Sequence, residues 1–205
     1  LKKLPLSFYL QTDVVAVARL LLGKLLVTSI NGKTTVVRIC ETEAYSAVAD
    51  KASHAYNGRF TNRNQYMHQQ GGVAYVYLCY GIHQLFNVVT NQAGVPDAVL
   101  IRAGIPVNGV ETMIKRCSKA LNDTSLTRGP GNLARAMGID CTQSGISLLG
   151  STFYLAEDDT DIAESEILSS PRIGVAYAGA DALLPYRFYL ANCIYVSGSR
   201  NQAKR

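Results

Sequence analysis

Apolar and polar positions recur with two periods along the chain, and each change of period marks an element. Val14, Val17, Ala18, Leu21 and Leu22 form one stripe at helical spacing. Thr12 or Asp13 supplies its N-cap and Gly23 its stop. LLVTSI (25–30) and KTTVVRICETEAY (33–45) are predicted strands joined through Asn31-Gly32, a pair suited to a left-handed two-residue turn. A second hairpin is predicted over 72–91, with Tyr80-Gly81-Ile82-His83 at its bend. Residues 97–103 predict another strand, and 108–121 a helix capped near Asn108 or Gly109. TRGPG breaks the chain before a short helix over 132–137, closed by Gly138. Further strands are expected at 151–156, 172–178 and 186–192, with an acidic stretch at 157–166 inside a mobile loop, 157–170. Residues 48–57 permit a short helical turn and 57–72 read as irregular.

Helices are few and do not alternate with strands, which argues against a doubly wound parallel sheet. The order fits a mixed α/β (α+β) fold: one domain, 1–205, around a curved, mainly antiparallel sheet with flanking helices and a projecting β-hairpin. Composition agrees, since 48% hydrophobic and 17% charged residues describe a compact chain with one core. No apolar run reaches the roughly 18 residues a membrane span needs, and the first residues lack a secretory signal pattern. The five cysteines are scattered, without a C-x-x-C pair, as expected of core thiols in a reducing compartment. An intracellular location follows as an expectation: cytoplasm or nucleoid in a bacterium, nucleus in a eukaryote.

Charge adds a polarity. Residues 1–128 carry 14 Lys/Arg against 7 Asp/Glu, and residues 129–205 carry 6 against 8. One basic face fits an anionic partner, be it DNA, RNA or anionic lipid, and fits ordinary solubility equally well.

Candidate chemistry begins in VVRICETEAY. Strict alternation places Val37, Ile39, Glu41, Glu43 and Tyr45 on one side and Val36, Arg38, Cys40, Thr42 and Ala44 on the other. Two carboxylates then extend an apolar side and need partners or a cleft. They form either a salt-bridged structural pair or a site in which Glu43 activates water beside a carbon that becomes positive. His54 is a phosphate or sugar contact, or an ordinary packed histidine. Arg59 and Arg63, in RFTNRN, can grip phosphates or stand as solvated loop charge. Tyr75 and Tyr77 share a strand side and Tyr80 precedes Gly81 at the bend, which suits stacking on an extruded base as well as cross-strand packing.

These residues also carry a resemblance. ETEAY (41–45), His54, R-x-T-x-R-N (59–64), YVYLCYG (75–81), Asn87, LIRA (100–103), RGPGNL (128–133), RIGVAYAG (172–179) and RFY (187–189) resemble, in order, the alkyladenine (3-methyladenine) DNA glycosylase family. The resemblance implies one mixed α/β domain on the minor-groove side of duplex DNA that contains damaged purines, with a monomer sufficient. It makes Glu43 the general base, Tyr45 and Tyr77 the stacking walls of the pocket, His54 a contact to the flipped nucleotide and Asn87 a filter against normal guanine. Tyr80 is implied as the wedge left in the duplex, Arg102 as an active-site arginine, and Gly131-Asn132 as a border of the phosphate contacts. No cofactor, no metal and no lyase step are expected. Asn62, Ile82 and His83 depart from the family pattern, which bears on lesion range and affinity. Two rivals remain: a non-catalytic nucleic-acid binding module, and a metal-dependent nuclease using Glu41, Glu43 and His54.

Overall fold

The computed structural model describes residues 1–120 and 122–198. Among them, nine strands form one sheet in which every pairing is antiparallel. The strands are β1 (Lys2–Lys3), β2 (Leu25–Ile30), β3 (Lys33–Tyr45), β4 (Ala74–Cys79), β5 (His83–Thr90), β6 (Asp97–Asn108), β7 (Phe153–Glu157), β8 (Ile167–Ser170) and β9 (Arg187–Leu190). Their order is β1-β7-β2-β3-β6-β5-β4, with β9 on β3 and β8 on β9. The helices are α1 (Leu6–Tyr9), α2 (Val14–Leu20), α3 (Val110–Cys117) and α4 (Pro130–Met137). Helix α2 lies on β3 and β6, α4 on β5 and β6, and α3 on α4. The fold class predicted from the sequence is the one observed.

The local signals act as expected at three turns. Asp13 caps α2, accepting from the Val15 and Ala16 N–H groups at 2.9 and 3.0 Å. Asp13→Ala should therefore cost about 1 kcal/mol, read as a lower urea midpoint at unchanged slope. Asn31 and Gly32 both hold left-handed φ (54° and 69°), which pairs Ile30 with Lys33. In the second hairpin Cys79 pairs with His83, so Tyr80, Gly81 and Ile82 form the tip. Tyr80 has φ 50°, a conformation that non-glycine residues rarely adopt.

β3 organises the molecule. β6 runs along one edge for most of its length; on the other edge Lys33–Arg38 pair with β2 and Glu41–Glu43 with β9. Register shifts fall between Ile39 and Glu41 and between Glu41 and Thr42, so Cys40 and the facing Arg102 are extra residues. This corrects the strict alternation. Val37, Ile39 and Ala44 all join the main core, and the Thr42 hydroxyl donates to the Ala18 carbonyl of α2 at 2.8 Å. Glu41, Glu43 and Tyr45 consequently lie opposite Val37 and Ile39, on the sheet face away from α2.

Three further expectations change. Residues 172–178 are not a strand: Gly174 has φ 79°, the Ile173 N–H bonds to a side chain, and 3-10 turns run over Ala176–Leu183. The 157–170 segment ends in β8, paired with β9, and its acids meet Arg38 (to Asp158, 2.7 and 3.0 Å) and Arg19 (to Glu164). Helix α3 stops at Cys117, where Ser118 turns left-handed at φ 52°. No helix among the described residues is long and apolar enough to cross a membrane.

Candidate active site

On the face opposite α2, a cavity of about 740 Å³ opens between the end of β3, the β4–β5 hairpin, β6, the start of α4 and the 173–177 segment. Its lining includes Tyr45, His54, Arg63, Tyr75, Tyr77, Tyr80, Asn87, Arg102, Gly131 and Asn132. Most of the residues singled out in the sequence therefore meet at one place. Glu43 and Arg59 are not part of the wall.

Glu43 stands directly behind it. Its side chain is fully buried, and the groups that hold it are themselves lining residues. The Ile173 N–H donates to Oε1 at 2.8 Å, the Tyr45 hydroxyl donates to Oε2 at 2.7 Å, and Arg102 Nη1 lies 3.2 Å from Oε2. Burial first, and then the Glu43 charge, push the Tyr45 phenol well above its ordinary range, so it stays protonated and donates. Glu41, equally buried, is saturated: Arg102 Nε, Arg187 Nε and the Ser197 hydroxyl donate to Oε1 at 2.7 to 2.8 Å, and the Ser197 N–H to Oε2 at 2.6 Å. Burial works against the charge of Arg102, yet Glu43 and Glu41 together raise its pKa above the usual value. The two readings of the carboxylate pair thus separate by residue. Glu41 is the salt-bridged structural partner, and Glu43 is the one beside the cavity.

His54 Nδ1 sits 3.0 Å from the Tyr75 hydroxyl, and its ring meets Tyr77 edge to face at 4.6 Å. Burial, followed by Arg63 and Arg59, lowers its pKa to about 4. The imidazole is neutral near pH 7, while in the unfolded chain it takes a proton near pH 6.5. Stability from this residue is therefore complete above about pH 6.5 and is lost as pH falls toward 4. His54→Gln should flatten that part of a melting-temperature against pH curve.

The 59–64 loop is closed by Asn64, which accepts from the Thr61 N–H (2.7 Å) and donates to the His54 and Arg59 carbonyls (3.1 and 2.8 Å). Arg63 turns inward over Tyr77, 5.0 Å from the ring centroid, and donates to the Leu78 carbonyl. Arg59 remains exposed. The Asn87 amide nitrogen donates to the Tyr75 and Leu85 carbonyls, which leaves its oxygen without a protein donor among the described residues. Tyr80 is 87% exposed and Ile82 67%, at the tip beside the cavity. Gly131 opens α4 against His83, and a Cβ there would lie 2.8 Å from the imidazole Nδ1.

Sequence patterns missed the 172–177 segment as a set of contacts, because it reads as a strand and its key donor is a backbone N–H. Its only signal was the unassigned RIGVAYAG motif. Arg172 anchors the segment through Asp50 and the Ala44 carbonyl, and Tyr177 stands at the rim with its hydroxyl on the Ala52 carbonyl at 3.0 Å. Arg187 and Ser197, which saturate Glu41, were likewise given no role. Among the described residues, no group of three or more His, Cys, Asp or Glu side chains is placed to hold a metal ion.

Comparison with known proteins matches residues 7–194 to the family model described as methylpurine-DNA glycosylase. A Desulfitobacterium hafniense protein is 43% identical over 204 residues, covering 96% of this chain and 99% of its own. Proteins of Chlamydia felis and Methanocella arvoryzae are each 45% identical, over 91% and 95% of this chain and 95% of theirs. All three bear, provisionally, the name 3-methyladenine DNA glycosylase.

Proposed function

Since the chain belongs to the methylpurine-DNA glycosylase family, making it a DNA glycosylase that acts on alkylated purines, we propose that it extrudes the damaged nucleotide into the cavity and hydrolyses its N-glycosidic bond with a water activated by Glu43. The observation that carries the reading is a buried carboxylate, held by the Ile173 N–H and Arg102, immediately behind Tyr45 at the cavity wall.

Attachment begins with the basic part of the chain and weakens with salt. Flipping costs a few kcal/mol of stacking and pairing, less at a lesion that pairs poorly. Tyr80, already projected on its left-handed turn, enters the vacancy. Tyr45 and Tyr77 restore stacking, typically about 1 to 3 kcal/mol per base. The free Asn87 carbonyl oxygen has no donor to offer and repels other acceptors, while its amide is committed to backbone carbonyls.

As the C1′–N bond lengthens, its electron pair leaves with the base and C1′ becomes positive. Oε1 of Glu43 accepts one N–H and keeps a second lone pair, to which a water on the Ile173 side donates. The water oxygen adds to C1′, its proton passes to the carboxylate, and the products are free base and an abasic strand. No lysine lines the cavity among the described residues, which supports hydrolysis without a Schiff base. A single subunit supplies every group named, which supports action as a monomer.

Incubation with duplexes carrying 3-methyladenine, 7-methylguanine, hypoxanthine or ethenoadenine, in EDTA, tests the reading. Released base and alkali-labile sites are expected; intact substrate throughout the panel would leave a binding module, and direct strand scission that needs a divalent cation would favour a nuclease. Tyr80→Ala should lower the population of flipped lesion about 10-fold or more at unchanged melting temperature, seen in 2-aminopurine fluorescence beside the lesion.

A further inference from the structure

The Arg172 guanidinium is the most heavily engaged polar group near the cavity, yet it touches neither the cavity wall nor Glu43 directly. Its side chain is fully buried and pairs with Asp50, itself almost fully buried, through both terminal nitrogens, one at 2.8 Å. Nη1 also donates to the Ala44 carbonyl at 2.8 Å and Nη2 to the Asp181 carbonyl at 3.1 Å. The plane of the group lies between two rings, 4.8 Å from the Tyr45 centroid and 5.3 Å from that of Tyr186. Only Nε lacks a protein acceptor.

One side chain thus ties together the end of β3, the residue-50 turn, the 3-10 segment and its own loop. Two of the connected pieces hold Glu43. Ala44 lies between Glu43 and Tyr45, whose hydroxyl donates to Oε2; Ile173, next to Arg172, donates its N–H to Oε1. The 172–174 backbone has no strand partner to fix it, so the guanidinium supplies the fixation a sheet would otherwise give. A planar five-donor fork can serve three acceptors and two ring faces at once; an ammonium cannot.

We propose that Arg172 is a positioning residue for the reaction, clamping the Ile173 N–H onto Glu43 Oε1 and backing the Tyr45 ring so that the carboxylate keeps one lone pair directed at water. The inference rests on Glu43 acting as the base. The groups facing Glu43 are Tyr45 and, through Arg102, Glu41 from β3, Arg102 from β6, Tyr77 from β4, and Arg172 with its partner Asp50; Arg187 of β9 is turned to Glu41. Arg172→Lys leaves these charges in place and removes the fork.

The test compares wild type, Arg172→Lys and Asp50→Asn in single-turnover excision across pH, with lesion-duplex affinity and amide hydrogen exchange at Ile173. Loss of one hydrogen bond to the charged carboxylate should move the acid limb of the excision profile up by about one pH unit. The plateau should fall about 100-fold through misplacement, affinity should fall much less, and the Ile173 amide should exchange faster. Asp50→Asn should shift the same limb in the same direction, and keeps the test decisive should Arg172→Lys not fold. A folded variant with an unmoved acid limb and normal exchange at Ile173 overturns the proposal, as does a loss confined to affinity. A wild type that releases no base from any lesion overturns instead the reading of Glu43 as base, while the exchange measurement still reports on the clamp.

Discussion

Glu43→Gln should leave a folded protein that binds lesion duplex and excises about 1,000-fold more slowly, the scale of a lost general base. Glutamine keeps an oxygen for the Ile173 N–H and a polar partner near the Tyr45 hydroxyl, so the cavity wall survives. Arg102, deprived of one anion, retains Glu41 at 2.8 Å and the Ser197 hydroxyl at 2.9 Å. The loss therefore concentrates in chemistry: the amide cannot take a proton from water or face a positive C1′ with full negative charge. Single-turnover excision of hypoxanthine or ethenoadenine, beside a melting curve, measures both halves. Excision at the wild-type rate would remove Glu43 from the mechanism.

Glu41→Ala, two residues away, should do the reverse. Its carboxylate is the common acceptor for two buried guanidiniums and Ser197, which anchors the last described turn of the chain to the sheet. Removing it leaves Arg102 and Arg187 buried, 6% exposed each, with one carboxylate between them. Breaking such a network costs about 3 to 5 kcal/mol, or roughly 10 °C in melting temperature for a chain of this size. Chemical denaturation at neutral pH provides the measurement, and a midpoint within experimental error of wild type would show that water replaces the carboxylate. The opposed outcomes of the pair test the division of labour between the two glutamates more sharply than either does alone.

Much of this organisation was legible before any coordinates. Asn31-Gly32, the Tyr80-Gly81 bend, the Asp13 cap and the Gly138 stop are local signals, and each sits where backbone sterics demand it. Tyr45, His54, Tyr77, Asn87 and Arg102 were all marked in the sequence, and the fold brings them to one cavity. What could not be read was non-local. The hydrophobic period of RIGVAYA is that of a strand, but its backbone donors are diverted to a side chain and to turns. β8 has four residues and exists because β9 lies alongside it. The division between Glu41 and Glu43 depended on Arg187 and Ser197, some 150 residues away in the chain. Neither periodicity nor spacing reports such partners.

The two extra residues facing each other across β3 and β6 have a consequence for how this chain tolerates change in length. Upstream of Cys40 the strand presents its odd-numbered side chains to α2; downstream, the even-numbered ones. Losing one residue between Ile39 and Glu41 would reverse the phase of everything that follows, driving two acids into hydrocarbon and bringing Thr42 and Ala44 to the cavity. Additions or losses of one residue belong in the loops, where the chain has slack, and are forbidden across these few positions. Here the count of residues is itself a requirement of the chemistry.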